Sequence, residues 1–161
     1  VVGELVDLAS VMIGARGQQC SDKFYSSPSN LLMPNPGANM GDGWETRRRR
    51  DDGNDWCVIK LGVAGTIRKV ILDTAYFKGN YPESFSLEAT LSASQDLQPE
   101  QVRWQTIIAN TPLQADQLHL YIKQILATSE QQFSHVRLNI FPDGGVSRIR
   151  IFGTPDWDAA R

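Results

Sequence analysis

Apolar and polar residues alternate with a period of two in several short runs, the spacing of strands that bury one face. The cleanest are 135–141 (His-Val-Arg-Leu-Asn-Ile-Phe) and 147–152 (Ser-Arg-Ile-Arg-Ile-Phe), which flank Pro142-Asp-Gly-Gly145. Glycines there allow positive φ, so the pattern predicts a β-hairpin. Residues 57–61 and 67–73 are β-branched runs separated by Gly62 and Gly65, which reads as a pair of buried strands. In 85–91 the alternation turns Phe85, Leu87, Ala89 and Leu91 inward and Ser86 and Glu88 outward. A further strand is expected over 104–109. Leu118, Leu120 and Ile122 alternate as a strand would, whereas Leu118, Ile122, Ile125 and Leu126 fit a helical stripe; we read a strand ending in a helical turn. Residues 5–9 form a short apolar entry, 15–39 are mostly loop with at most a helical turn near Leu31, 74–82 are rich in turn formers, and 97–100 read as a polar linker. About seven or eight strands with Gly/Pro punctuation and no long helix predict an all-β sandwich of two antiparallel sheets. Its loops gather at the two ends, where the segments 42–50 and 78–80 can converge on one rim.

Length fits one domain over 1–161, large enough to bury a core without staples. The net charge of −2 supplies no field for nucleic acid or an anionic membrane, and no apolar run is long enough to span a bilayer. No signal peptide is recognisable, and the chain opens on Val1 without an initiator Met, as a piece of a longer protein would. Cys20 and Cys57 lack metal-ligand spacing and are too few for a disulfide framework, so both are expected to be reduced and the setting cytoplasmic. The expected partner is a small molecule.

The densest chemistry lies in 41–56, where two acids, four consecutive arginines, further acids and Trp44 and Trp56 stand among Gly41, Gly43 and Gly53. Such a stretch reads as a loop presenting Asp42, Trp44, Glu45 and arginines at a surface. The plainer reading is a solvated charge run with a core tryptophan. A nucleic-acid patch fits poorly, because Asp42, Glu45, Asp51, Asp52 and Asp55 would repel phosphate.

Five blocks carry a resemblance: Asn39-Met-Gly-Asp-Gly-Trp-Glu-Thr-Arg-Arg-Arg-Arg50, Gly53-Asn-Asp-Trp56, Asp73-Thr-Ala-Tyr-Phe-Lys-Gly-Asn-Tyr-Pro82, Ser86-Leu-Glu88 and Asn139-Ile-Phe-Pro-Asp-Gly-Gly145. Together they resemble the allantoicase family, from about residue 5 to 153 and most weakly between 92 and 132. The resemblance implies a jelly-roll sandwich similar to galactose-binding domains, and hydrolysis of allantoate to ureidoglycolate and urea in purine breakdown. Chains of that family usually hold two such repeats; this one holds a single copy, most similar to the second. A homo-oligomer, or association with a second repeat, is therefore expected. The alternatives are a small-ligand-binding module of the same sandwich class and a non-catalytic repeat that works only with its twin.

Allantoate carries one carboxylate and two ureido groups on one carbon. A guanidinium grips a carboxylate through two parallel hydrogen bonds, which points to Arg48 and Arg50. In an extended segment these two share one face and Arg47 and Arg49 the other, so Arg49→Ala is expected to spare most turnover. Loss of urea needs a water activated at the carbon and a proton delivered to the leaving nitrogen, work for carboxyl groups such as Asp42, Glu45 and Glu88. Asn80 and Lys78 can bond ureido oxygen, with Trp44 as an apolar wall. His119 and His135 read as strand residues and Asp143 as a turn former; no metal or cofactor is implied.

Overall fold

Among the described residues, 4–126 and 130–160, the computed structural model consists of β-strands, loops and short 3-10 turns, without an α-helix. The strands are β1 (Val6–Asp7), β2 (Arg16–Cys20), β3 (Trp44–Glu45), β4 (Asp55–Asp73), β5 (Ser84–Thr90), β6 (Gln105–Pro112), β7 (Leu118–Tyr121), β8 (Phe133–Phe141), β9 (Gly145–Val146) and β10 (Arg148–Pro155). The turn expected near Leu31 is a 3-10 segment, Pro28–Leu32, whose Ser27 hydroxyl caps the Ser29 N–H and whose Leu31 and Leu32 enter the core.

The 19-residue β4 organises everything else. Its first half pairs with β2 and β8, its second half with β10 and β7. The two strands expected at 57–61 and 67–73 are thus one continuous strand, and the glycines between them bend it instead of turning a hairpin. The β8 register shifts between Lys60 and Gly65. A Cβ on Gly62 would stand 2.6 Å from the Ile13 carbonyl oxygen, and one on Gly65 2.6 Å from that of Thr154, so only glycine lets β4 pass from one layer to the other.

One layer runs β2, β4, β8, β5, β6 and the other β1, β10, β4, β7. Ile59, Leu87 and Leu138 of the first layer and Val70, Leu72, Ile149 and Ile151 of the second are fully buried in a single cluster. Phe85 and Tyr121 meet across it with ring centroids 5.1 Å apart. Each such side chain contributes about 1.5–3 kcal/mol of burial. The sandwich expected from the strand pattern is the observed architecture.

Three local readings need correction. β8 and β10 do not pair with each other; each pairs with β4, and the turn at 142–145 crosses from one layer to the other. Alternation around a Gly/Pro turn is common to both arrangements, and the length of β4 decides between them by offering each strand its own stretch. Leu91 lies beyond the end of β5 and is 63% exposed, leaving Thr90 to fill the place beside His135. In β7 the alternation is present but its outer row is the apolar one: Leu118, Leu120 and Ile122 face solvent while Tyr121 is buried, and the residues after it form a turn closed by Ile125 N–H to the Ile122 carbonyl. Cys20 and Cys57 stand opposite each other on β2 and β4 as free thiols, and burial pushes the pKa of both up.

Candidate active site

The turn after β8 is a hub. Its Gly145 N–H donates to the Asn80 carbonyl at 2.9 Å, which fixes the 78–80 loop. On the other side β9 pairs with β3, setting Trp44 opposite Val146 and Glu45 opposite Gly145. Thr46 N–H bonds the Gly144 carbonyl at 3.0 Å, and its hydroxyl accepts the Gly144 N–H at 3.1 Å. Asp143 then accepts the Arg49 N–H at 2.7 Å. Gly144 has φ +126°, a conformation an L side chain rarely adopts, and a Cβ on Gly145 would overlap the buried Phe77 ring. The glycines of this turn therefore permit the close approach of two loops remote in sequence.

That approach brings Glu45 and Asn80 together. The Asn80 side-chain amide donates to Glu45 Oε2 at 2.6 Å and lies 3.8 Å from Met40 Sδ. Glu45 is half-buried, its own N–H bonded to the Ser26 hydroxyl. Its Oε1 makes no hydrogen bond or ion pair among the described residues, so this carboxylate is oriented through Oε2 with its other oxygen open.

The four arginines separate by parity. Arg49 binds Asp51 through Nε at 2.9 Å and Asp55 through Nη1 at 2.8 Å, and Asp55 is fully buried. The Asp51 hydrogen bond and then Asp55 raise the Arg49 pKa, while the Gly53 N–H and Arg49 lower that of Asp51. Arg47 lies 3.5 Å from Asp22 and its guanidinium 4.6 Å from the Phe24 ring centre. Arg48 and Arg50 are exposed and have no hydrogen bond or ion pair among the described residues. With Asp22, Tyr25 and Asp51 the run lines an open depression of about 510 Å³.

Other expected site residues are placed differently. Trp44 is wholly buried, its indole N–H donating to the Asp22 carbonyl at 2.9 Å, so it belongs to the core and walls no opening. Its neighbours in β3 alternate, and the tryptophan takes the inward side. Asp42 accepts the Ala38 N–H at 2.7 Å and closes its own loop. Lys78 is exposed, without a partner among the described residues, on the loop that carries Asn80. Glu88, on β5, is held by Arg137 Nε at 2.9 Å, Arg137 Nη2 at 2.8 Å and the Asn139 amide at 2.7 Å. It shares no partner with Glu45 or Asp42 and stands four residues along β5 from Ser84, the residue paired with Phe141 beside the hub, a span of about 13 Å.

Sequence reasoning missed three residues that hold this region. Asp143 is more than a turn former, since it pins the arginine segment. Arg148, almost buried, donates to the carbonyls of Asn35 and Asp42 at 2.8 and 2.6 Å, and desolvation lowers its pKa. Arg150 bonds the carbonyls of Met33 and Pro34. The signal for the last two was the Arg-Ile-Arg-Ile alternation, which sends both guanidinium groups outward under the 33–42 loop.

The histidines are packed into strands, as read. His119 bonds the Leu72 carbonyl and the Gln114 N–H, and His135 the Ser134 hydroxyl. Among the described residues no group of three His, Cys, Asp or Glu side chains is arranged to hold a metal ion, and no helix is long and apolar enough to cross a membrane.

The family model described as "Allantoicase repeat" matches residues 6–156. A Dictyostelium discoideum protein named "Allantoicase" is 45% identical over 153 residues, which cover 94% of this chain and 41% of that one. "Probable allantoicase" of Pseudomonas fluorescens is also 45% identical, over 93% of this chain and 46% of the relative. The crystal structure of allantoicase from Saccharomyces cerevisiae superposes with a TM-score of 0.81 at 39% identity, covering 93% of this chain and 43% of that one. A family 32 carbohydrate-binding module from C. perfringens NanJ, solved with galactose, shares the fold at a TM-score of 0.61 and 8% identity. The chain spans less than half the length of each of the three allantoicase relatives.

Proposed function

This chain belongs to the allantoicase family, and from that premise we propose that it takes part in the hydrolysis of allantoate to ureidoglycolate and urea in the cytoplasm. The observation that carries the reading is the contrast within the arginine run: Arg49 is committed to two carboxylates, whereas Arg48 and Arg50 are left without partners beside an open depression. Uncommitted guanidinium groups on a pinned backbone suit a substrate carboxylate, because the loop is ordered before the ligand arrives. Lys78, exposed on the neighbouring loop, is available to a ureido oxygen.

Among the three candidate carboxylates, Glu45 is the one oriented by a side chain from a second loop, Asn80, and not bound to a guanidinium or to its own loop backbone. Asp42 is tied to its own loop and Glu88 to Arg137. In this reading Glu45, oriented by Asn80, takes a proton from water as its oxygen bonds to the substrate carbon. The C–N bond to the departing urea breaks, and the same carboxyl returns the proton to the leaving nitrogen. The test is urea release from allantoate by the purified chain. Turnover that disappears in Glu45→Gln and falls in Asn80→Ala is the expected result; the absence of urea at every protein concentration sinks the proposal.

A further inference from the structure

Strand β7 carries its apolar residues on the wrong side for a monomer. Leu118, Leu120 and Ile122 are 58%, 52% and 55% exposed, and half-buried Ile71 of β4 lies beside Leu120 on the same face. Among the described residues β7 pairs with β4 alone, which makes it an edge strand. The phase of the ladder shows which backbone groups that edge presents. Thr74 N–H donates to the Gln117 carbonyl, which makes Asp73 and Leu118 a non-hydrogen-bonded pair. His119 and Tyr121 therefore bond β4, while the N–H and C=O groups of Leu118 and Leu120 point away from the sheet. Edges of this kind are ordinarily blunted by charge or proline, and the run Leu-His-Leu-Tyr-Ile over 118–122 contains no acid, lysine, arginine or proline.

The edge is complementary to itself. In an antiparallel pair about a two-fold axis, Leu118 of one copy faces Leu120 of the other, and four backbone hydrogen bonds satisfy all the free groups on both strands. The same operation sets the apolar rows side by side and brings exposed Asp116 at one end of β7 toward Lys123 at the other end of the second copy. The family model is a repeat, and the relatives are more than twice as long as the stretch they share with this chain, so they have room for a second unit of the fold. We propose that a second copy of this chain docks on β7, giving a two-fold dimer with the sheet continuous through both edges. The proposal stands on the edge geometry and is independent of the hydrolase reading.

Sedimentation equilibrium of the purified chain over a concentration series tests it. The expected mass rises from 17.9 kDa toward twice that value. Leu118→Asp and Leu120→Lys are each expected to be monomeric with unchanged circular dichroism, and an equimolar mixture of the two to regain the dimer, because residue 118 of one copy faces 120 of the other. Should either variant fold poorly, Leu118→Gln and Leu120→Gln serve instead and are expected to weaken association about tenfold or more. A wild-type chain that stays monomeric throughout, variants as dimeric as the wild type, or a mixture that stays monomeric while the wild type dimerises, overturns the proposal.

Discussion

Two charged clusters sit on this sandwich, and they differ in what they leave unsatisfied. Around Glu88 the one guanidinium is committed: Glu88 Oε1 accepts from Arg137 Nε and Nη2 and from the Asn139 amide, and the Arg137 guanidinium lies 4.7 Å over the Trp104 ring. Around residues 47–51 the same chemical types are arranged unequally, since Arg49 takes Asp51 and Asp55, Arg47 lies against Asp22, and Arg48 and Arg50 make no ion pair among the described residues. The first cluster pairs its guanidinium and ties β5 to β8. The second is a held backbone with open guanidinium groups, the arrangement on which the proposed carboxylate site rests. Charge density alone does not separate them; the pairing does.

The largest expected effect breaks the comparison at its open end. On the proposed reading, Arg48→Ala or Arg50→Ala takes a clamp from the allantoate carboxylate and is expected to cost about 2–5 kcal/mol of binding, enough to abolish measurable turnover. Steady-state kinetics checks this, with circular dichroism unchanged because neither side chain has a partner among the described residues. Variants with normal turnover would return the run to a solvated face.

Next comes Arg49, whose effect is on stability. Alternation predicted that Arg49→Ala spares turnover, and the structure adds a cost that alternation could not reveal. Removing Arg49 leaves the buried Asp55 carboxylate with only the Ser21 hydroxyl, at 2.8 Å, a loss of about 3 kcal/mol. Thermal melting is expected to fall by roughly 6–12 °C. Arg49→Ala combined with Asp55→Asn should recover part of it, since no buried charge then remains. An Arg49→Ala protein that melts like the wild type shows that the knot is not what pins the loop.

How far the chain could be read in advance follows the same division between pattern and pairing. Period-two alternation is local, so most strands and the all-β class were legible from it. What it cannot supply is partner choice: the continuous β4, the crossing turn at 142–145 and the outward apolar row of β7 all depend on which edge a strand meets. Trp44 shows the limit at the site. Its loop composition suggested exposure, while pairing of β3 with β9 fixes the side it faces. The Glu45–Asn80 contact spans 35 positions and had no local signal beyond the two blocks that carried the family resemblance.

A third test uses pH and sits outside both clusters. His135 is fully buried, and its pKa is lowered to about 4, mainly by desolvation and then by the charges of Lys60 and Arg16. The unfolded chain binds a proton there below its ordinary value near 6.5, and the folded chain resists it. Stability from this group is therefore complete above about pH 6.5 and is lost as pH falls toward 4, by up to about 3 kcal/mol. Urea denaturation midpoints between pH 7 and pH 4.5 measure it. Replacing the imidazole in His135→Gln should flatten the slope without altering the charge of either cluster. An equal slope in that variant assigns the acid sensitivity to other groups.

The smallest effect tests the paired cluster directly. Glu88 and Arg137 are about one-fifth to one-quarter exposed, with side-chain values of 21% and 24%, so water partly screens their attraction. Glu88→Gln keeps the shape and one acceptor oxygen for Asn139 while removing the charge that Arg137 answers. The expected loss is about 1 kcal/mol of stability. Turnover should stay within about twofold, because a carboxylate already held by a guanidinium is poorly placed to accept a proton. Denaturation and urea-release kinetics on this one variant therefore weigh the two clusters against each other. If Glu88→Gln removes turnover while its stability barely changes, a catalytic carboxylate sits in the cluster that looks complete, and pairing is no guide to function in this fold.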